Sequence, residues 1–138
     1  MSRKAIFAAD APAPAGPYSQ AVAAAGRFVF TSGQLPLDPA TGKLVAGDIK
    51  AAVRRTLQNI RLLLRSAGAD LKDVVKVNVY LADIADARAM NEAYAEFFSD
   101  EPPARTTIAA SLPGGAMVEM DAIAVLGDQP ASGQSRFA

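Results

Sequence analysis

The residues best suited to chemistry lie in a proline-rich stretch late in the chain. It reads Pro102-Pro103-Ala104-Arg105-Thr106-Thr107-Ile108. Two prolines favour an extended backbone, so we expect Arg105 at the root of a strand with its guanidinium aimed at one defined place. A guanidinium binds a carboxylate through two parallel hydrogen bonds. The stretch therefore predicts an anion-binding site.

A second candidate, Glu119, follows Arg105 by 14 residues on a strictly alternating segment. Apolar residues at 118, 120, 122 and 124 alternate with Glu119, Asp121, Ile123 and Val125. Such alternation is typical of a strand, so both carboxylates share one face. If this strand neighbours the strand of Arg105, the arginine and Glu119 face one pocket. The alternative is an ordinary ion pair between adjacent strands.

Composition limits the chemistry open to these residues. The chain has 138 residues, 51% of them hydrophobic, with 14 basic and 14 acidic residues and no cysteine or histidine. Disulfides, thiol nucleophiles and thiolate metal sites are thereby excluded, and the commonest metal ligand and general base is missing. Acid–base chemistry then falls to carboxylates, tyrosine, lysine or water, and we expect no bound metal.

Length and charge indicate a small globular protein with small partners. We predict one domain over residues 1–127 and a flexible tail over 128–138. A net charge of zero favours neither nucleic acid nor a membrane as partner. The N-terminal residues lack the long apolar run of a signal peptide, so we expect a cytoplasmic protein.

Hydrophobic periodicity predicts an α+β fold in the order β-β-β-α-β-α-β-β. Strands are expected at 4–7, 18–24, 27–32, 74–81, 105–111 and 117–126, with a hairpin through Ala25-Gly26 and a short strand at 44–45. One amphipathic helix is capped by Asp48 and ends near Gly68. A second helix is opened by Asp83 or Asp86, buries Ala87, Met90, Tyr94, Phe97 and Phe98, and is stopped by residues 99–103.

Two helices can cover only one face of such a mixed sheet. The other face carries polar and apolar residues together: Lys76, Asn78, Tyr80, Glu119, Asp121, Ile123 and Val125. This mixture suits a partly wet interface between subunits, so we expect an oligomer. We interpret the arginines along the first helix, Arg54, Arg61 and Arg65, as a solvated helix face and not as a nucleic-acid surface.

Five motifs, taken together and in order, resemble those of one known family. They are Gly16-Pro17-Tyr18-Ser19-Gln20-Ala21, Thr31-Ser32-Gly33-Gln34-Leu35-Pro36, Asn91-Glu92-Ala93-Tyr94-Ala95-Glu96-Phe97-Phe98, Pro103-Ala104-Arg105-Thr106-Thr107 and Val118-Glu119-Met120-Asp121-Ala122. The chain thus resembles the RidA (YjgF) family of enamine/imine deaminases over roughly residues 3–126.

The resemblance implies a chorismate-mutase-like subunit in a homotrimer, with helices outside a central barrel and sites in clefts between subunits. It also implies hydrolysis of small 2-enamino and 2-imino acids, such as 2-aminoacrylate, to 2-keto acids and ammonia without a cofactor. By this resemblance Arg105 would bind the substrate carboxylate and Glu119 would handle water and protons. The residues that would line the cleft are Tyr18, Ser32, Gly33, Asn91 and Thr107.

Structural interpretations and two other functions stay open. Tyr18 can pack over the prolines, Ser32-Gly33 can form a bulge, and Asn91 can be a surface amide. Thr107 stands where many members of the family have cysteine, and the interval from Arg105 to Glu119 is one residue shorter than in typical members. The other functions are a trimeric module that binds a keto acid without turnover and an endoribonuclease.

Overall fold

The structure, a computed structural model, describes residues 2–127, so the tail predicted for 128–138 lies outside the described residues. The predicted order of elements is confirmed. The elements are β1 (Arg3–Ile6), β2 (Ala21–Ala24), β3 (Arg27–Phe30), α1 (Ile49–Ser66), β4 (Val74–Leu81), α2 (Ala87–Tyr94), β5 (Ala104–Ala109) and β6 (Val118–Leu126). No helix within the described residues is both long and apolar enough to cross a membrane. The single domain over 1–127 stays a prediction.

A mixed four-stranded sheet in the order β3-β6-β4-β5 holds most of the strand residues. β4 and β5 run parallel, whereas β6 is antiparallel to both β3 and β4. Parallel neighbours need a crossover connection, and α2 lies in the connection between β4 and β5. The predicted mixed α+β sheet is confirmed, with β4 between β6 and β5.

The predicted hairpin between residues 18–24 and 27–32 is wrong. β2 pairs with β1 in a separate two-stranded sheet, while β3 pairs with β6. The chain changes sheets at Gly26, which has a φ of 139°. A Cβ there would lie 2.1 Å from the carbonyl oxygen of Leu126. Glycine tolerates both constraints, so Gly26 passes the chain between sheets and does not fold it back on itself.

Other strand predictions need smaller corrections: β2 begins at Ala21 and not at residue 18, and β3 ends at Phe30 and not at residue 32. The short strand expected at 44–45 is reduced to a single antiparallel bridge between Leu37 and Leu44. The strand expected at 105–111 begins at Ala104 and ends at Ala109, because its partner β4 ends at Leu81, the residue paired with Ala109. A strand without a partner has no ladder to continue.

The first helix, α1, begins and ends where the sequence predicts. The Asp48 carboxylate accepts a 3.0 Å hydrogen bond from the amide of Ala51, as an N-cap does. At the other end, Gly68 has a φ of 86° and its amide donates to the carbonyl of Arg65 at 3.1 Å. The apolar side of α1 is buried through Ile49, Val53, Leu57, Ile60 and Leu64.

The three arginines of the predicted stripe on α1, Arg54, Arg61 and Arg65, lie on an exposed face and pair with carboxylates. Arg54 makes two hydrogen bonds to Glu96, at 2.9 and 2.8 Å. Arg61 and Arg65 both donate to Asp70, at 3.1 and 3.0 Å. The interpretation of this stripe as a solvated face is therefore confirmed, and exposed pairs of this kind contribute little stability, about 0–1 kcal/mol each.

The second helix, α2, is shorter than predicted. Asp83 caps a separate 3₁₀ turn over Ile84–Asp86 before α2 begins. α2 ends at Tyr94, and the amide of Phe97 bonds the Tyr94 carbonyl only three residues back, the tighter spacing of a 3₁₀ turn. The tighter turn still buries Phe98, with its ring centroid 4.8 Å from that of Tyr94. The predicted apolar face is thus kept, although the helix is not.

The four-stranded sheet has one covered face and one open face. The covered face packs against the helices through buried side chains that include Val77, Val79, Met120 and Ala122. The open face carries the half-buried Lys76, Asn78, Tyr80, Glu119, Asp121 and Ile123. Beside it, β3 pairs Phe28 with the buried Val125 and Phe30 with Ile123, and the two phenylalanines are 45% and 69% exposed. The alternation predicted for β4 and β6 is confirmed.

Candidate functional site

Arg105 lies at the start of β5 and faces α2. Its Cα partner on β4 is Val77, a covered-face residue. The Cζ atom of Arg105 lies 4.8 Å from the ring centroid of Tyr94 and 5.1 Å from that of Tyr18, and Nη1 lies 3.9 Å from Met90 Sδ. Desolvation lowers the pKa of Arg105, yet an arginine stays charged near neutral pH. A cation held between aromatic rings is favourable and stays free to bind an anion.

Three side chains converge on the backbone of Gly16. A Cβ at Gly16 would lie 3.3 Å from Asn91 Nδ2, 3.3 Å from Tyr18 Cε2 and 3.4 Å from Arg105 Nη2. The proline-rich connector therefore brings Gly16 and Tyr18 against α2 and β5. Tyr94 lies beside the same guanidinium, and Thr107, two residues after Arg105 on β5, shares its face of the strand. We call this group the arginine cluster; its members are Gly16, Tyr18, Asn91, Tyr94, Arg105 and Thr107.

Four polar atoms of the arginine cluster are buried without a hydrogen-bond partner: Asn91 Oδ1, Tyr94 OH, Arg105 Nε and Thr107 Oγ1. Within residues 2–127 no other buried side-chain nitrogen or oxygen lacks a partner. Each such atom costs about 1–3 kcal/mol, and native proteins leave few of them. Burial also raises the pKa of Tyr94, so its phenol is neutral at physiological pH. Unpaired donors and acceptors gathered in one place suit a polar ligand.

The Ser32-Gly33 segment forms the bulge that was one interpretation of its sequence. The amide of Thr31 donates to the carbonyl of Ala122 at 2.9 Å, and the amide of Gln34 donates to that of Met120 at 2.7 Å. Between these two bonds the segment from Thr31 to Gln34 advances by three residues while β6 advances by two, which is the definition of a β-bulge.

Glu119 lies against this bulge, on the open face of the sheet. A Cβ at Gly33 would lie only 2.0 Å from Glu119 Oε2, so the carboxylate takes the space that a side chain at this position would need. The neighbouring carboxylate, Asp121, accepts hydrogen bonds from Asn78 Nδ2 at 2.8 Å and Tyr80 OH at 3.0 Å. In contrast, residues 2–127 supply neither a hydrogen bond nor an ion pair to the Glu119 carboxylate. We call Ser32, Gly33 and Glu119 the glutamate cluster.

The condition under which Arg105 and Glu119 would face one pocket, that their strands be neighbours, is not met within one copy of the chain. β4 separates β5 from β6. Arg105 pairs with Val77 on the covered face, whereas Glu119 pairs with Tyr80 on the open face. Because successive residues of a strand point to opposite faces, the two side chains lie on opposite sides of the sheet. Within residues 2–127, one copy of the chain therefore forms two separate clusters, and no pocket contains both Arg105 and Glu119.

Two members of the arginine cluster were missed as site residues. Tyr94 was expected only in the core, and it is indeed fully buried. Its position three residues after Asn91 places both on one helix face, which is a signal that could have grouped them. Gly16 was part of a motif, but no sequence pattern shows that side chains converge on it.

Comparisons with known proteins decide the family. The profile of the family described as Endoribonuclease L-PSP matches residues 8–126. The chain belongs to this family, the RidA (YjgF) family. A RutC family protein of Pyrococcus abyssi is 50% identical over 125 residues, covering 90% of this chain and 98% of that protein. The resemblance found in the five motifs is thereby confirmed.

Two further members of the RidA family are informative. The 2-iminobutanoate/2-iminopropanoate deaminase of Bos taurus is 47% identical over 128 residues, covering 92% of this chain and 93% of that protein. The crystal structure of Escherichia coli TdcF with bound serine superposes with a TM-score of 0.69 at 35% identity, covering 90% of this chain and 99% of that chain. The fold of the present chain is that of the RidA family.

Proposed function

We propose that this protein hydrolyses small 2-imino acids, formed from their 2-enamino tautomers, to 2-keto acids and ammonia. The observation that carries the proposal is the arginine cluster, where the half-buried Arg105 lies among three further residues, Asn91, Tyr94 and Thr107, that each have a buried polar atom without a partner. The deaminase name of the bovine relative and the serine bound to TdcF support a small ligand of the amino-acid type.

In this proposal Arg105 holds the substrate carboxylate and leaves the imine carbon open to attack. Water adds to that carbon while Glu119 takes one of its protons and passes it to the imine nitrogen, which gives the carbinolamine. The carbinolamine hydroxyl then gives its proton to Glu119, and Glu119 passes it to the amine nitrogen, so that ammonia leaves as the keto group forms. No net charge is produced, and the atoms of imine plus water become those of keto acid plus ammonia. Imine hydrolysis is intrinsically easy, so a positioned carboxylate contributing about 10²–10⁴-fold suffices.

The proposal also needs a second copy of the chain. Arg105 and Glu119 lie on opposite faces of one sheet, so the Glu119 that serves a given Arg105 comes from a neighbouring subunit. The open face, with its exposed Phe28 and Phe30, has the mixed character of a subunit interface. We propose a homotrimer with three such sites, the number that the family resemblance implied.

The direct test follows the loss of 2-iminopropionate generated in situ by an amino-acid oxidase. The expected result is a rate above that of buffer, proportional to protein concentration. A rate equal to buffer, together with measurable binding of pyruvate, would instead identify a module that binds keto acids without turnover. Cleavage of RNA in place of imine loss would identify an endoribonuclease.

Mixing subunits tests the shared site. Arg105→Ala and Glu119→Gln are each expected to be inactive alone. In a closed ring of three, every mixed trimer keeps one intact site, so a randomly assembled equal mixture should recover about a quarter of the wild-type rate. No recovery from mixed trimers, verified by mass, would show that the two residues do not meet across an interface.

A further inference from the structure

The residues that lead into β5 are held by the N-terminal part of the chain. The carbonyl oxygen of Glu101 accepts a 2.6 Å hydrogen bond from Arg3 Nη2. That of Pro102 accepts a 2.5 Å bond from Ser19 Oγ, and that of Pro103 accepts a 3.2 Å bond from the amide of Ser19. Three consecutive carbonyls are thus each bonded to a residue from the first nineteen.

The prolines make these bonds important for the position of β5. Pro102 and Pro103 have no N–H, so neither can donate a backbone hydrogen bond that would fix the connector. Its carbonyls are the groups by which it can be held. Arg105 follows Pro103 by two residues. The position of the connector therefore sets the position of the Arg105 backbone, and with it the region that the guanidinium can reach.

Ser19 joins two walls of the arginine cluster. It follows Tyr18, whose ring centroid lies 5.1 Å from Arg105 Cζ, and it holds both carbonyls immediately before the start of β5. The side chain of Ser19 therefore connects the segment that carries the Tyr18 ring to the segment that carries Arg105. Arg3 makes no such link, because it bonds Glu101 and the carbonyl of Val74 on β4.

We propose that Ser19 is a positioning residue, which aligns Tyr18 with Arg105 through the carbonyls of Pro102 and Pro103. The inference rests on the proposed function for its consequence, since a displaced guanidinium binds the substrate carboxylate less well. Ser19→Ala removes the bond to Pro102 and keeps the backbone bond to Pro103. One hydrogen bond of this kind contributes a factor of about 2–10, and this is the effect expected on the Kd for pyruvate.

A double-mutant cycle separates positioning from general stability. If Ser19 acts through Arg105, Ser19→Ala should weaken pyruvate binding about 2–10-fold in the wild-type background and under about 2-fold in the Arg105→Lys background. A matched control is Thr56→Val, which removes another hydroxyl bond to a backbone carbonyl, that of Ala52, on α1 and far along the chain from this cluster. The control should lower the Tm without changing the Kd. Equal losses in both backgrounds would overturn the proposal.

A ligand-free measurement decides the proposal even if the protein proves not to be a deaminase. The Arg105 Nε–H resonance can be assigned as the one lost in Arg105→Lys, and its exchange with solvent measured by NMR. Ser19→Ala should speed this exchange about 2–10-fold, whereas Thr56→Val should leave it unchanged. Unchanged exchange in Ser19→Ala would refute the positioning role. A wild-type protein that binds pyruvate without hydrolysing imines would refute only the proposed function.

Discussion

Gly33→Ala offers a way to displace the Glu119 carboxylate without altering the glutamate itself. Gly33 does not have a positive φ, so its backbone conformation is open to alanine. The added Cβ would lie 2.0 Å from Oε2 and 3.0 Å from Cδ of Glu119. Since ordinary contacts begin near 3.4 Å, the carboxylate oxygen must move by about 1.4 Å. The substitution therefore moves the proposed general base by a known minimum.

A displacement of that size should affect the rate far more than substrate binding. Misplacing a catalytic group by about 1 Å can cost about 10²-fold, and complete loss of general-base catalysis costs about 10²–10⁴-fold. We expect kcat for 2-iminopropionate to fall about 100-fold, while the Kd for pyruvate, set mainly by Arg105, changes less than about 3-fold. Stopped-flow kinetics at saturating substrate measure kcat, and calorimetric titration with pyruvate measures the Kd.

Two controls make the result interpretable. Gly127→Ala is the matched substitution, because Gly127 also lacks a positive φ and a Cβ there would meet, among the described residues, only Ser2, at 3.5 Å. It should leave kcat unchanged. Adding Gly33→Ala to Glu119→Gln should cause little further loss, since the group it displaces is already inactive. Wild-type kcat in a folded Gly33→Ala trimer, or fully additive losses, would remove Glu119 from the mechanism.

Three further predictions address the arginine cluster and the expected absence of a metal. Arg105→Lys keeps the charge but loses the bidentate fork, so kcat/KM should fall roughly 10–150-fold at an unchanged trimer mass by light scattering; wild-type turnover would contradict the assignment. Tyr94→Phe removes a buried hydroxyl without a partner, so the free energy of unfolding should rise by about 1 kcal/mol while KM rises several-fold. A large loss of stability would mean that the hydroxyl supports the fold and does not serve the substrate. EDTA should leave imine hydrolysis intact, and a loss reversed by added metal would count against the mechanism.

Local patterns predicted the elements of this fold, because strand alternation and helix periodicity depend only on residues that are close together in the sequence. For example, α1 begins after Asp48, an N-cap residue, and ends just before Gly68, a glycine with a positive φ. The false hairpin shows the limit of such patterns. Residues 18–24 and 27–32 carry strand character, but the partner of each is chosen by contacts far along the chain, which no local pattern records.

The candidate site was predictable as a set of residues but not as an arrangement. Arg105 was expected at the root of a strand, and β5 does begin at Ala104. Whether the strands of Arg105 and Glu119 are neighbours stayed open in the sequence, and they are not, because the crossover through α2 sets β5 beside β4 and leaves β6 on the other side of β4. Whether a side chain faces α2 or the open face depends on register, and register is fixed by tertiary pairing.

Two carboxylates share the open face, and they differ in their hydrogen-bond partners. Asp121 accepts bonds from Asn78 and Tyr80, and the hydrogen bond to Asp121 raises the pKa of Tyr80. A carboxylate satisfied in this way stabilises the sheet and has little capacity left for a substrate. Glu119, two residues earlier, lies against a bare glycine backbone and has no such partners within residues 2–127. This difference in partners is why we propose Glu119, and not Asp121, as the carboxylate of the mechanism, and the bulge at Gly33 is the backbone that lies beside it.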